Sequence, residues 1–278
     1  MRRFRIRPIA ALQPYVDSLW GWEAIGDEII DLPTLLPGTG AEVFFHYRTP
    51  FHRDAGGRRE AFERAHMICV RRKPIRLCRS RDVGFIAVRF RAGRLHRFTN
   101  LPGADLVDGT ASVAELWESA GYHLENDVTA ASRQADRLRL VQAFLLKELE
   151  TDRADPLVEH AVAEIYQRCA ATSITQLASN LRITRRELER RIKAVTAQTP
   201  VEIRRLSRLQ KVTRDFLLQQ TPRLLPIALT HGFYDQAHFI HNFSSLGLGP
   251  PQRHLTSARA KPHFYNTPWD VLDHTVVE

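Results

Sequence analysis

Apolar residues come in short bursts up to about residue 93 and at helical spacing beyond it. The bursts VDSLWGWEAI (16–25), EVFFHY (42–47), HMICVR (66–71) and GFIAVRFR (84–91) are rich in β-branched and aromatic residues, with PGTG (37–40) and DAGG (54–57) as punctuation. Runs of this kind with no helical period between them predict an antiparallel sheet or small barrel. SVAELWESAGYHL and ADRLRLVQAFLLKELE then change the period. Leu138, Val141, Leu145 and Leu149 make one stripe, with Arg137, Lys147 and Glu148 off it, as in an amphipathic helix. TDRADP (151–156) is a polar break closed by a proline, and the pattern stays helical from there to about residue 255. The final KPHFYNTPWDVLDHTVVE has two prolines and no period, which predicts a loosely attached tail. The expected class is α+β. Residues 1–155 form a β-rich barrel or sheet domain with trailing helices, 156–255 an all-α domain, and 256–278 the tail.

The helical part contains a weak duplication. ITQLASNLRITRRELERRI (174–192) aligns with LLPIALTHGFYDQAHFIHNF (224–243): Leu177–Ala178 matches Ile227–Ala228 and Ile183 matches Phe233 at an offset of 50. Leu188 matches Phe239 and Ile192 matches Phe243 at 51, and Pro200 matches Pro250 at 50. Each copy reads as a short helix with a small residue, a turn, and a second helix that crosses closely over that small residue. This is the construction of a helix-turn-helix, whose second helix is free to enter a major groove. Thr184 with Glu187 predicts a capping box for the second helix of the first copy, and Asp235 predicts a cap in the second. VEIRRLSRLQKVTRDFLLQQ joins the copies as a continuous helix from Val201 to about Gln219, roughly 28 Å long at 1.5 Å per residue. A rod of that length suits two recognition helices set about one DNA turn, roughly 34 Å, apart.

Charge sharpens this picture. The 278-residue chain carries a formal +9, and residues 172–255 hold 13 Lys and Arg against 5 Asp and Glu, whereas residues 1–155 hold 24 against 21. A basic excess concentrated in the helical block suits a polyanion, nucleic acid before a membrane surface. No stretch approaches 18 apolar residues, so no membrane partner is expected. Three cysteines without a CxxC pair predict thiols in a reducing compartment, and so a cytoplasmic chain. A phosphate-cradling glycine loop, a nucleophile elbow and a closed metal set are all missing from the sequence, which predicts no enzyme and no cofactor.

Two helix-turn-helix units joined by a long helix, with IALTHGFYDQAHFIHNF in the second, resemble the AraC/XylS family of transcriptional regulators. Gly232-Phe233-Tyr234-Asp235-Gln236 followed by His238-Phe239 carries the resemblance, which spans about residues 165–255. LQPYVDSLWGW, LLPGTGAEVFFHY and GFIAVRFRAGRLHRF more loosely resemble the β-rich sensor-like domain found ahead of this module in some members. The resemblance implies that HGFYDQAHFIH, with three histidines in eleven residues, is part of a recognition helix and holds no metal. It also implies double-stranded DNA as a partner. RNA polymerase, an unidentified small-molecule effector and a second copy of the chain are further candidates.

By the same analogy Arg186, Glu189 and Arg190 align with base-reading positions of the first unit. Arginine suits guanine O6 and N7, and glutamate can accept from cytosine N4. Thr184, Arg185, Lys193 and Arg204 are candidate phosphate contacts, with Arg208 and Lys211 on the same face as Arg204. The competing reading makes these charges a solvated face laced by i,i+4 pairs. In the second unit Gln236, Ala237 and His241 are the base-contact candidates. His241 stands where the family has arginine and Ser244 where lysine often follows, so this unit is expected to grip DNA less strongly. Arg182 replaces the turn glycine and Ala197 stands where glycine is common, and a left-handed backbone at the turn would strain Arg182 by on the order of 1 kcal/mol. In the N-terminal part, Trp20, Trp22, Phe44, Phe45 and Tyr47 are candidate pocket linings. Arg71, Arg72, Arg76 and Arg79 make a basic cluster that would favour an anion, whereas Glu42 beside a glycine turn, or Cys69 near His66, are isolated residues of the kind that is far more often structural than catalytic.

Overall fold

The computed structural model describes residues 1–102, 105, 107–267 and 269. Among the described residues ten strands precede the first long helix: β1 (Arg2–Ile6), β2 (Val16–Glu23), β3 (Thr34–Leu35), β4 (Glu42–His46), β5 (His52–Ala55), β6 (Arg58–Ala61), β7 (Ala65–Ile68), β8 (Ile75–Arg76), β9 (Gly84–Phe90) and β10 (Thr110–Ser112). Six of them form one antiparallel sheet in the order β1-β2-β9-β4-β7-β10, with β3–β8 and β5–β6 as separate ribbons. Among the described residues the large sheet keeps two free edges, β1 and β10, so it is an open sheet and not a closed barrel.

Both faces of this sheet are buried. Val43, Phe45, Ile86 and Val88 point to one side, where α1 (Val113–Ala130) and α2 (Gln134–Glu148) pack. Trp20, Trp22, Phe44, Phe85 and Ala87 fill the other side beneath the ribbons. Two-sided burial explains why the central strands read as continuous apolar runs and not as an alternation of apolar and polar residues. Gly21 is required at its crossing, because a Cβ there would lie 2.1 Å from the Phe85 carbonyl oxygen. Arg137, placed off the apolar stripe of its helix by the sequence pattern, is buried after all. Its Nε donates to the Val128 carbonyl at 3.2 Å and its guanidinium lies 3.7 Å from the centre of the Tyr47 ring.

The chain then turns at 151–155 and enters an all-helical part. Asp155 caps α3 (Pro156–Gln167) by accepting from the Val158 N–H, with Pro156 at the first helical position. α4 (Ile174–Asn180), α5 (Arg185–Thr196), α6 (Pro200–Leu218), α7 (Leu224–Thr230), α8 (Gln236–Ser244) and α9 (Pro251–Arg259) follow. Two cores form around α6. Ile203, near its start, joins Leu177, Ala178, Leu188 and Ile192, whereas Leu209, Val212 and Phe216 join Ile227, Ala228, Phe239 and Phe243. The residues matched by the sequence duplication thus occupy equivalent places in the two cores.

The expected loose tail is corrected as far as residue 267. After α9 the chain returns to the N-terminal sheet, where a 3-10 turn at Phe264–Asn266 buries Phe264 against Trp20. The Trp22 indole N–H donates to the Thr267 hydroxyl at 3.0 Å, and the Arg5 and Arg89 guanidinium groups lie over the Phe264 ring. The rest of the expected tail, apart from Trp269, lies outside the described residues. Further ties between the two parts come from Glu159 on α3, which pairs with Arg94 and Arg97, and from Arg72, which reaches Glu202 at 3.2 Å and the Ala197 carbonyl at 3.0 Å.

Candidate nucleic-acid interface

Each two-helix unit is built the same way at its turn. The Ile183 N–H donates to the Ala178 carbonyl and the Phe233 N–H to the Ala228 carbonyl, both at 3.1 Å. The residue that turns the chain is left-handed in both, Arg182 at φ 58° and Gly232 at φ 84°. A Cβ at Gly232 would meet the Ala170 Cα at 2.8 Å, so two constraints demand glycine there, whereas Arg182 is exposed and meets only the backbone constraint. Ala197 is left-handed as well, at φ 53°, and ends α5.

On α5, Leu188 and Ile192 face the core while Arg185, Arg186, Arg190 and Lys193 are exposed. The Thr184 hydroxyl accepts from the Glu187 N–H at 3.1 Å, but the expected capping box is only half made, because the Glu187 carboxylate turns to Arg190 at 2.7 Å. That hydrogen bond from Arg190 holds the Glu187 carboxyl below its ordinary range. Arg185 pairs with Glu189 at 2.8 Å. Among the described residues Arg186 and Lys193 carry no ion pair.

On α8, Asp235 caps the helix by accepting from the His238 N–H at 2.7 Å, and Phe239 and Phe243 face the core. Gln236, Ala237 and His241 are exposed, together with Ile240 and the turn residue Tyr234, which is 90% exposed. The three histidines are used separately. His231 Nε2 meets Asp215 at 2.7 Å, His238 Nδ1 accepts from the Tyr234 N–H at 3.2 Å, and His241 is on the exposed face. Residues 236–244 contain no lysine or arginine, in contrast to α5.

The shared basic face of α6 is half-buried against the end of α3. Arg204 donates to the Thr172 carbonyl at 3.0 Å, Arg208 to Cys169 at 2.8 Å and Lys211 to Gln167 at 2.6 Å, so the three cations satisfy carbonyls at and just beyond the C-terminal end of α3. This role depends on where α3 packs, and i,i+4 spacing carries no trace of it. Arg204 and Arg185 still border an open groove lined by residues 170–175.

In the N-terminal domain the supposed basic cluster is dispersed. Arg71 is buried on Glu42 at 3.3 Å, Arg72 reaches Glu202, and Arg79 lies 3.6 Å from Asp31. Glu42 also pairs with Arg89 at 3.1 Å, so it anchors an ion-pair triad. Burial raises the Cys69 thiol to about 11, and the His66 ring bonds the Glu63 carbonyl, which leaves no thiol–imidazole pair. Trp20 and Trp22 line a small cavity, whereas Phe44, Phe45 and Tyr47 do not.

A helix-turn-helix whose second helix carries exposed charge is the construction of a DNA-binding protein of the transcription-regulator class. Residues 177–254 match a family model described as a helix-turn-helix domain, and residues 4–112 match one described as a domain of unknown function (DUF6597). The chain carries a helix-turn-helix domain behind a β-rich N-terminal domain. No curated protein matches it by sequence. Among solved structures, ToxT from Vibrio cholerae O395 aligns at 11% identity over 86% of this chain and 95% of its own, with a TM-score of 0.44. Vibrio cholerae ToxT in its P21 crystal form aligns at 11% identity over 86% and 96%, with a TM-score of 0.46. A third structure, ToxT with an unsaturated fatty acid bound, aligns at 10% over 85% and 93%, with a TM-score of 0.43. No helix among the described residues is long and apolar enough to cross a membrane.

Proposed function

We propose that the chain reads two successive major grooves on one face of double-stranded DNA, with α5 as the dominant reader and α8 as the weaker one. The observation that carries this reading is the repeated pair of cores on one 19-residue helix, each with its second helix exposed. Arg186, Glu189 and Arg190 contact bases from α5, and Gln236, Ala237 and His241 from α8. Thr184, Arg185 and Lys193 hold phosphates, and Arg204 joins them at the groove it borders with Arg185. Residues 1–155 act as the regulatory domain, through an effector or a second copy of the chain, with RNA polymerase as the downstream partner.

Binding sites selected from a random duplex pool with the full chain test this directly. Two preferred blocks about one helical turn apart, bound at least 1,000-fold tighter than random DNA, are the expected result. A single block would reduce α8 to a support for the fold. Binding that disappears with salt and leaves no consensus would be counterion release alone and would sink the proposal.

A further inference from the structure

A cavity of about 40 Å³ lies where three parts of the chain meet: the second face of the large sheet, α6, and the returning segment 263–265. Its apolar walls include Trp20, Trp22, Leu35 and Phe51, and its polar walls include Glu42 and Arg71. Arg71 is only 5% exposed and Trp20 3%, yet Arg71 Nη1 and Trp20 Nε1 have no hydrogen-bond partner. Among the described residues these are the two unpartnered buried polar atoms of the lining side chains, and both are donors. Buried donors left unpaired are costly, so the cavity is short of an acceptor.

The charge count points the same way. Arg71 and Arg89 both pair with the single carboxylate of Glu42, which leaves one buried positive charge without a carboxylate of its own. The Phe264 ring, 4.2 Å from the Arg89 guanidinium, offsets part of that charge and leaves Arg71 as the group in need of an anion. Size limits the choice. One water requires roughly 10–15 Å³ on this measure, so the cavity holds about three or four non-hydrogen atoms.

We propose that this cavity is a binding site for a monocarboxylate of the size of acetate, which has four non-hydrogen atoms. The carboxylate accepts from Arg71 Nη1 and Trp20 Nε1, and its short alkyl end lies against Phe51 and Leu35. The site would supply the effector of the regulator proposed above and rests on that reading only in this respect, because binding itself needs no DNA.

The test is calorimetric titration of the full chain, without DNA, using sodium formate, acetate, propionate and butyrate against sodium chloride at matched ionic strength. Saturable one-to-one binding strongest for acetate and falling for propionate and butyrate is expected, with quenching or enhancement of tryptophan fluorescence. Arg71→Gln removes the guanidinium and its charge and leaves Glu42 paired with Arg89; binding should weaken at least tenfold. Gly38→Val is the second variant. Gly38 is outside the left-handed region, and a Cβ there would sit 3.7 Å from Gln210 Oε1 and 4.0 Å from Arg71 Nη2, both on the cavity wall. It fills the cavity while keeping the Arg71–Glu42 pair, and it too should weaken binding at least tenfold. No saturable heat with any carboxylate overturns the proposal, as does binding of phosphate or sulfate in their place. Unchanged affinity in a folded variant of either kind overturns it as well. None of these outcomes bears on DNA recognition, which the site selection decides separately.

Discussion

Arg190 on α5 is tied to Glu187 by two hydrogen bonds, at 2.9 and 2.7 Å, and a base-reading role requires it to leave that partner. Whether it can is a question of magnitude. The Arg190 side chain is 69% exposed and that of Glu187 36%, and surface pairs three residues apart on a helix shift an equilibrium only about twofold. A bidentate arginine–guanine contact discriminates against a wrong base by roughly 5- to 150-fold. The DNA contact therefore wins over the intrahelical pair, and the pair serves to hold the guanidinium on the exposed face before binding. Arg190→Ala should weaken binding to the selected site by roughly 5- to 150-fold and flatten preference at one base position. Glu187→Gln, which removes the competing charge, should change affinity less than about threefold. Fluorescence anisotropy with the selected duplex and its single-base variants measures both. The reasoning fails if Arg190→Ala weakens every sequence equally, the behaviour of a phosphate contact. It fails equally if Glu187→Gln tightens binding tenfold or more, which would make the ion pair a lock.

Three further outcomes follow from the geometry. Arg182→Gly, at an exposed left-handed residue, should stabilise the chain by up to about 1 kcal/mol in urea unfolding, whereas Gly232→Ala should cost more than that because its Cβ also meets Ala170; equal effects would contradict the two-constraint account. Glu159→Ala leaves Arg94 and Arg97 without their shared carboxylate between the N-terminal part and α3 and should cost about 3–5 kcal/mol, and a loss under 1 kcal/mol would show the pair to be solvated. Desolvation lowers His66, His96 and His263 to about 4, so the unfolded chain binds more protons than the folded one below pH 6.5. Their contribution is fully present above pH 6.5 and is lost as pH falls toward 4. Stability measured between pH 7 and 5 should therefore decline, with a smaller slope in His66→Phe, and a flat profile would contradict the buried neutral state.

Much of the molecule was written locally. The strand runs at 16–25, 42–47 and 84–91, the turn at 151–155 and the cap at Asp235 depend on residues within a few positions of one another, and the structure has them where the pattern placed them. The duplication was legible for the same reason, since Ala178 and Ala228 are small wherever a second helix must cross. Tertiary packing decided the rest. Glu187 had two neighbours within reach, and Arg190 took it from the cap. Arg204, Arg208 and Lys211 share a helical face in any reading of the sequence, but only the position of α3 gives that face carbonyls to bond. The segment 260–267 has no period to betray it, because its order comes from Trp20 and Trp22 more than two hundred residues earlier. Arg71, Glu42 and Arg89 are far apart along the chain and meet only through the β7–β4–β9 pairing and the segment just beyond β7. Periodicity, caps and turns are short-range properties of the backbone, whereas a buried charge acquires its meaning from whatever the fold brings against it.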